Sequence, residues 1–505
     1  MSDFVAEDLG TALLTKLQGM FTAQPDDIPG GPPEDRFLVW CIPGLPFEPE
    51  GFEFAHRGMW EDDEDDEGDY SEQAQLHAAE RWARVANFVP DPASIPYHGD
   101  RFGTMGMLTR EGQNEVLSTT FEPDGQTVAS IYRSFLDHSQ VPDTEPTEEQ
   151  QEAIEEYREI VTGETIETYE NYMVDYELAL EEYLDKWLDA QVSDDPRVVR
   201  RWSRMEDVYR RRLNMAHDRW VSEGRKHEVE DAMARISQLE GGNVTQLKQE
   251  LIEDFRQFEE TNTQSGVSFY RTSVTPPRFA ESDAWNRVEF TREMVEEYSE
   301  EGFEREQIQA DADVSIGPIV ALAGEYDEEE EIERTYEEID TEDFELSFEY
   351  TQVKITRPWF SPELLFSNAW RWDPNMPELD YLTTDLSDGA SPPDGAMIGY
   401  ATNGLFLRNV ELRMAELRKE DSELREDFER VGEGGVGLDV DISLGPIPLS
   451  GGGSYEEETS EEESKGFELD ADGTLSVDGM QLIGFRCRML PKVPNPSDEV
   501  GEWIG

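Results

Sequence analysis

Cysteine, lysine and long apolar runs are what this chain of 505 residues has least of. Its two cysteines, Cys41 and Cys487, lie 446 positions apart in apolar runs, "FLVWCIPG" and "IGFRCRML". No Cys-x-x-Cys metal or redox site can form from them, and two small buried hydrophobes are expected rather than a disulfide. No run of about 18 apolar residues occurs, which excludes a membrane-crossing helix. The first residues, "MSDFVAEDLGTALLTKLQGMF", lack the basic start and apolar core of a secretion signal, so a soluble, cytoplasmic protein is expected. Basic residues are scarce as well, 42 Lys plus Arg against 116 Asp plus Glu, a formal charge of −74. Nucleic acids and anionic membrane surfaces need a basic footprint, and neither is an expected partner.

What is present points to a folded chain. Aromatics make up 10% of the residues, with 11 Trp, whereas disordered acidic polymers are poor in them. Carboxylates at this density repel over a Debye length of about 10 Å in dilute salt, so folding is expected to need screening. Lysine occurs at eight positions only, leaving arginine to supply the other basic residues. Acid excess with scarce lysine resembles the proteins of salt-accumulating haloarchaea. That resemblance implies a high-salt cytoplasm, with a virion or other assembled particle as the alternative setting.

Periodicity is clearest between 141 and 265. Ile166, Tyr169, Met173, Tyr176, Leu180, Tyr183 and Trp187 recur at alternating steps of three and four, the seam of a helix packed on another helix. Gly163 interrupts the seam upstream. A second helix starts at Pro196 with Trp202, Met205, Tyr209, Leu213, Ala216 and Trp220, and is expected to run to Leu239, about 44 residues or 65 Å. A shorter third helix carries Val244, Leu247, Leu251, Phe255 and Phe258. Residues 145–192 hold 16 acids and two bases, while 196–235 hold 11 bases and seven acids. The basic helix is expected to lie against the acidic one, with Arg210, Arg211 and Arg212 as the candidates for recruiting an anionic partner.

Further along, "SIGPIVALAGEYDEEE" from Ser315 has a second version, "SLGPIPLSGGGSYEEET", from Ser443. An offset of 129 carries Leu346-Ser347 onto Leu475-Ser476 and Gln352-Val353 onto Gln481-Leu482. The near-constant offset predicts an internal duplication of an alternating β-unit, with a bulge after Tyr350 and Gly479 where the apolar phase slips. The expected fold is therefore α+β: a long antiparallel helical hairpin or coiled coil plus a duplicated antiparallel β-unit forming a pseudo-symmetric sandwich. The corresponding regions are a mixed N-terminal part (1–140), the helices (141–265), copy one (266–365), a Trp/Pro-rich connector (366–397) and copy two (398–505).

Two clusters remain. Asp62, Asp63, Asp65 and Asp66, in "EDDEDDEGDY", are candidate ligands for a hard cation such as Ca²⁺ or Mg²⁺, though without the spacing of an EF-hand. Otherwise no cofactor is implied, and the acidic surface would hold K⁺, Na⁺ or divalent ions. Trp359, Phe360, Trp370 and Trp372 form either a stacking platform for sugars or bases, or a core plug. Arg357-Pro358-Trp359-Phe360, Gly445-Pro446-Ile447 and Gln481-Leu482-Ile483-Gly484-Phe485 resemble motifs of an uncharacterised bacterial and fungal protein family, over about the last third of the chain. The resemblance implies no activity.

No phosphate loop, Gly-x-Ser-x-Gly elbow or His-Glu-x-x-His helix is present, and the six histidines are scattered. The reading is a non-catalytic structural or interaction protein that self-associates or binds a protein partner. Two alternatives are a membrane-acting, pore-forming-like protein, with "DVSIGPIVALAGEY" as an inserting arm, and a hydrolase or carbohydrate-binding protein using the Trp-rich turn.

Overall fold

The computed structural model of the chain describes residues 36–57, 72–91, 105–109, 127–142, 160–192, 196–226, 241–262, 266–293, 320–323, 343–376, 385–419, 421–432, 440–450 and 467–497, apart from 283, 391 and 392, together with shorter pieces. Everything below concerns these residues. Asp62, Asp63, Asp65 and Asp66 lie outside them, as does Ser315–Ile319.

The body is one eight-stranded sheet built from both ends of the chain. Strand β1 (Arg36–Phe47) lies parallel to β2 (Met105–Thr109) and antiparallel to a long late strand, Thr474–Met489. That late strand pairs with Gly399–Arg413, which in turn pairs with Glu345–Thr356. Asn286–Thr291, Ser273–Thr275 and Phe467–Leu469 complete the sheet.

Alternation along β1 explains the two layers around it. Phe37, Val39 and Cys41 enter one core, while Leu38 and Trp40 enter the other, as a two-residue period requires. On the first face sits helix α1 (Glu72–Ala86), burying Ala79, Trp82 and Val85. On the second lie helix Glu423–Gly432 and a small four-stranded sheet containing Val320–Ala323, Val440–Leu444 and Ile447–Pro448. Both cysteines are free and buried, and burial pushes their thiols far above the usual range, so they serve as packing.

This architecture overturns the fold expected from sequence. The duplicated segments do not pack face to face as a sandwich beside a helical hairpin. Glu345–Thr356 and Thr474–Met489 lie edge-on in the same sheet, on either side of Gly399–Arg413. Alternating apolar residues cannot reveal this, because alternation fixes which face of a strand is buried and not which strand lies alongside it. Gly445-Pro446 forms the two-residue turn of a hairpin, with Gly445 at φ +57°. Pro43 falls in a register shift inside β1, between Trp40 and Leu45.

The helical part is corrected too. Helix α2 (Val128–His138) starts at Thr127, whose side chain caps it, and precedes α3 (Gly163–Val192, 30 residues) and α4 (Pro196–Ser222, 27 residues). Helix α4 ends at Ser222 instead of running to Leu239. At Gly224 the chain doubles back so closely that a Cβ would sit 2.6 Å from the Trp220 carbonyl oxygen, and Arg225 adopts φ +52°. A close approach of that kind demands glycine and stops a helix. Helix α5 (Gly241–Gln257) then packs against α2.

Candidate functional site

Helices α3 and α4 run past each other in opposite senses, with Tyr183 meeting Trp202 at 5.3 Å between ring centroids and Tyr176 stacking on Trp220 at 5.3 Å. Their seam is thin. Tyr176, Tyr183 and Leu213 form its buried centre, and Ala179, Leu180, Trp202, Tyr209, Ala216 and Trp220 pack around them half-buried. Two helices alone leave the faces turned away from the seam without a layer above them. On those faces Val174, Leu178 and Met215 are 47%, 58% and 61% exposed.

Charge divides the pair as the sequence pattern indicates. Glu167, Asp175 and Glu182 are exposed on α3, and Arg201, Arg204, Arg211, Arg212 and Arg219 are exposed on α4. Arg212 reaches back to Glu182, its Nη1 donating to the carboxylate at 3.1 Å. Arg210 is half-buried and Arg211 exposed, so the "RRR" run presents different cations to different surroundings.

The structure separates the tryptophan cluster from this face and places it in the core. Trp359 and Trp370 are fully buried, while Phe360 and Trp372 are half-buried against the same cluster. Trp370 donates its indole N–H to the Leu365 carbonyl at 3.0 Å and meets Phe135 of α2 edge-on at 4.6 Å. Trp359 packs behind Phe255 and Tyr270, so its ring offers no open platform. The Arg210–Arg212 run and the Trp cluster therefore do not form one site.

Sequence reading singled out the seam and missed Val174, Leu178 and Met215. The signal was there: all three are apolar residues that fall off the three-and-four stripe. Also missed was the role of Arg357. Its guanidinium is buried and donates to Asn87 Oδ1 at 2.6 Å, to the Ala86 carbonyl at 2.6 Å and to the Ala401 carbonyl at 2.7 Å. It ties the C-terminal end of α1 to the central sheet, where a cation also suits the helix dipole.

Among the described residues no group of three or more His, Cys, Asp or Glu could hold a metal ion, and no helix is long and apolar enough to cross a membrane. Val320–Ala323, from the segment considered as an inserting arm, is paired on both edges in the small sheet. Set against protein-family models, curated proteins and solved structures, the chain matches none.

Proposed function

We propose that this chain works by association rather than catalysis, pairing with a second copy of itself through the outer faces of α3 and α4. One observation carries the reading: a mainly acidic and a mainly basic helix lie side by side, with Val174 and Leu178 exposed on the outer face of the first and Met215 on the outer face of the second. A two-fold axis relating two copies lays the acidic helix of one on the basic helix of the other. Such a surface is self-complementary, and closes as a dimer. Burying exposed apolar side chains of these outer faces supplies the driving force, and the charges fix the orientation. A generic anionic partner fits less well, because the acidic helix would meet it together with the basic one.

The test is sedimentation equilibrium of the full chain in concentrated KCl. A dimer is expected, and the doubly substituted Leu178→Gln, Met215→Gln chain should sediment mainly as a monomer with an unchanged near-UV circular dichroism spectrum. A wild-type chain that stays monomeric at every loading concentration refutes the reading.

A further inference from the structure

Helices α3 and α4 keep their apolar contacts to themselves. Among the described residues, none of 163–222 contributes to the three hydrophobic cores of the body; the helical pair forms a fourth cluster of its own. Only Tyr176, Tyr183 and Leu213 are buried in it, along 30 and 27 residues of helix. A helix in water owes most of its stability to the layer its apolar face packs on, and a seam this narrow offsets only part of the entropy lost by ordering the chain.

The remaining contacts do not make up the difference. The Arg212–Glu182 pair, the Tyr172 hydroxyl bond to Glu223 and the Arg225 bond to Thr165 all join the two helical segments in exposed positions, where water competes for the same groups. On α4 the Trp220 indole N–H and the Asn214 side-chain carbonyl are buried without a hydrogen-bond partner, which penalises the closed arrangement. Arg197, Arg201 and Arg204 follow one another at steps of four and three along α4, so like charges repel within the helix. The central strand of the body, Gly399–Arg413, is the opposite case: paired on both edges, with apolar residues entering a core on each face.

We infer, given the self-pairing just proposed, that α3 and α4 are a separate cooperative unit that opens in the unpaired chain while the body stays folded, and that pairing closes it. The second copy supplies what the helical pair lacks, a layer over its outer faces and countercharges for the arginine row. Because only the closed form presents those faces, association draws the opening equilibrium toward closure.

Hydrogen–deuterium exchange of the full chain in concentrated KCl, read peptide by peptide over a concentration series, tests this beside sedimentation equilibrium. Relative to their intrinsic rates, peptides from 163–192 and 196–222 should exchange at least about a hundredfold faster than those from 399–413 where the chain is monomeric. They should slow by about tenfold or more where it is dimeric, with the sheet unchanged. Tyr183→Ala should speed exchange through both helices, leave the protection of the sheet as it was and abolish the dimer. Helices as protected as the sheet in the monomer, or equally fast in monomer and dimer, overturn the inference while the dimer stands. Loosening of the sheet together with the helices in Tyr183→Ala overturns it as well. A chain monomeric at every concentration refutes the self-pairing itself, and closure by pairing falls with it.

Discussion

Leu346 and Leu475, 129 positions apart, pair with the same residue from opposite sides: Leu412 is the register partner of both. All three are fully buried in the core on one face of the sheet. Just beyond them, at Asn409, the register slips toward both neighbours, between Ser347 and Glu349 on one side and between Val477 and Met480 on the other. Asn409 has φ +52°, and Gly479 faces the slip at φ +79°. The central strand therefore bends both flanking strands at one level. Leu412→Ala should cost about 2–5 kcal/mol, the range for truncating a leucine in a core that cannot collapse. Leu178→Ala, on the exposed helix face, should change the stability of the isolated chain by under about 0.5 kcal/mol. Denaturant titrations of both variants check the contrast.

Arg357 makes a sharper prediction. Its acceptors on Asn87, Ala86 and Ala401 belong to segments about 270 and 44 residues away in sequence. Arg357→Met leaves those oxygens without a donor, each costing about 1–3 kcal/mol when buried, so a loss of about 3 kcal/mol or more is expected. Arg357→Lys should recover little, because a single ammonium cannot reproduce the planar fork. Burial draws the guanidinium pKa down to about 10. For a base with a lowered folded pKa, the native state sheds its proton before the unfolded chain does. Its contribution to stability then rises with pH from about 10 upward and is flat below that. The stability difference between wild type and Arg357→Met should accordingly be constant across neutral pH, and a slope there would contradict the assignment.

The Arg212–Glu182 pair is exposed on both sides, 59% and 46% by side chain. Arg212→Ala should shift the unfolding free energy by less than about 1 kcal/mol, and the shift should shrink as salt is added. A loss of several kcal/mol, independent of salt, would mean that this ion pair holds the two helices together. Thermal melts at two KCl concentrations distinguish the cases.

Local order was legible in the sequence; long-range order was not. The unbroken apolar run "FLVWC" is how a strand buried on both sides reads, and Pro196 marks the start of α4 because its missing N–H costs nothing in the first turn. Gly224 was equally readable as the end of α4, inside "VSEGRKH", but the apolar periodicity beyond it masks the stop. Strand order is another matter. β1 pairs with Thr474–Met489, more than 430 residues on, and with β2 in parallel. No local propensity encodes such partners, since side-chain alternation fixes which face is buried and not which neighbour lies alongside. The buried Arg357 was hidden for a related reason: its acceptors come from two other segments, and nothing near it in sequence announces them.

The charge of −74 carries the last prediction. If self-repulsion among carboxylates is what opposes folding, screening is what restores it. The Debye length falls from about 10 Å at 0.1 M salt to about 3 Å at 1 M, below the spacing of many surface carboxylates. The melting temperature at neutral pH should therefore rise steeply with KCl. Lowering the pH toward the sequence pI of about 4.1 protonates carboxylates and removes the repulsion itself, so the dependence on KCl should flatten there. A salt that instead stabilises by being excluded from the protein surface would act at both pH values alike. Melting curves across a KCl series at neutral pH and at a pH approaching the pI separate the two mechanisms, and parallel series would reject screening as the cause.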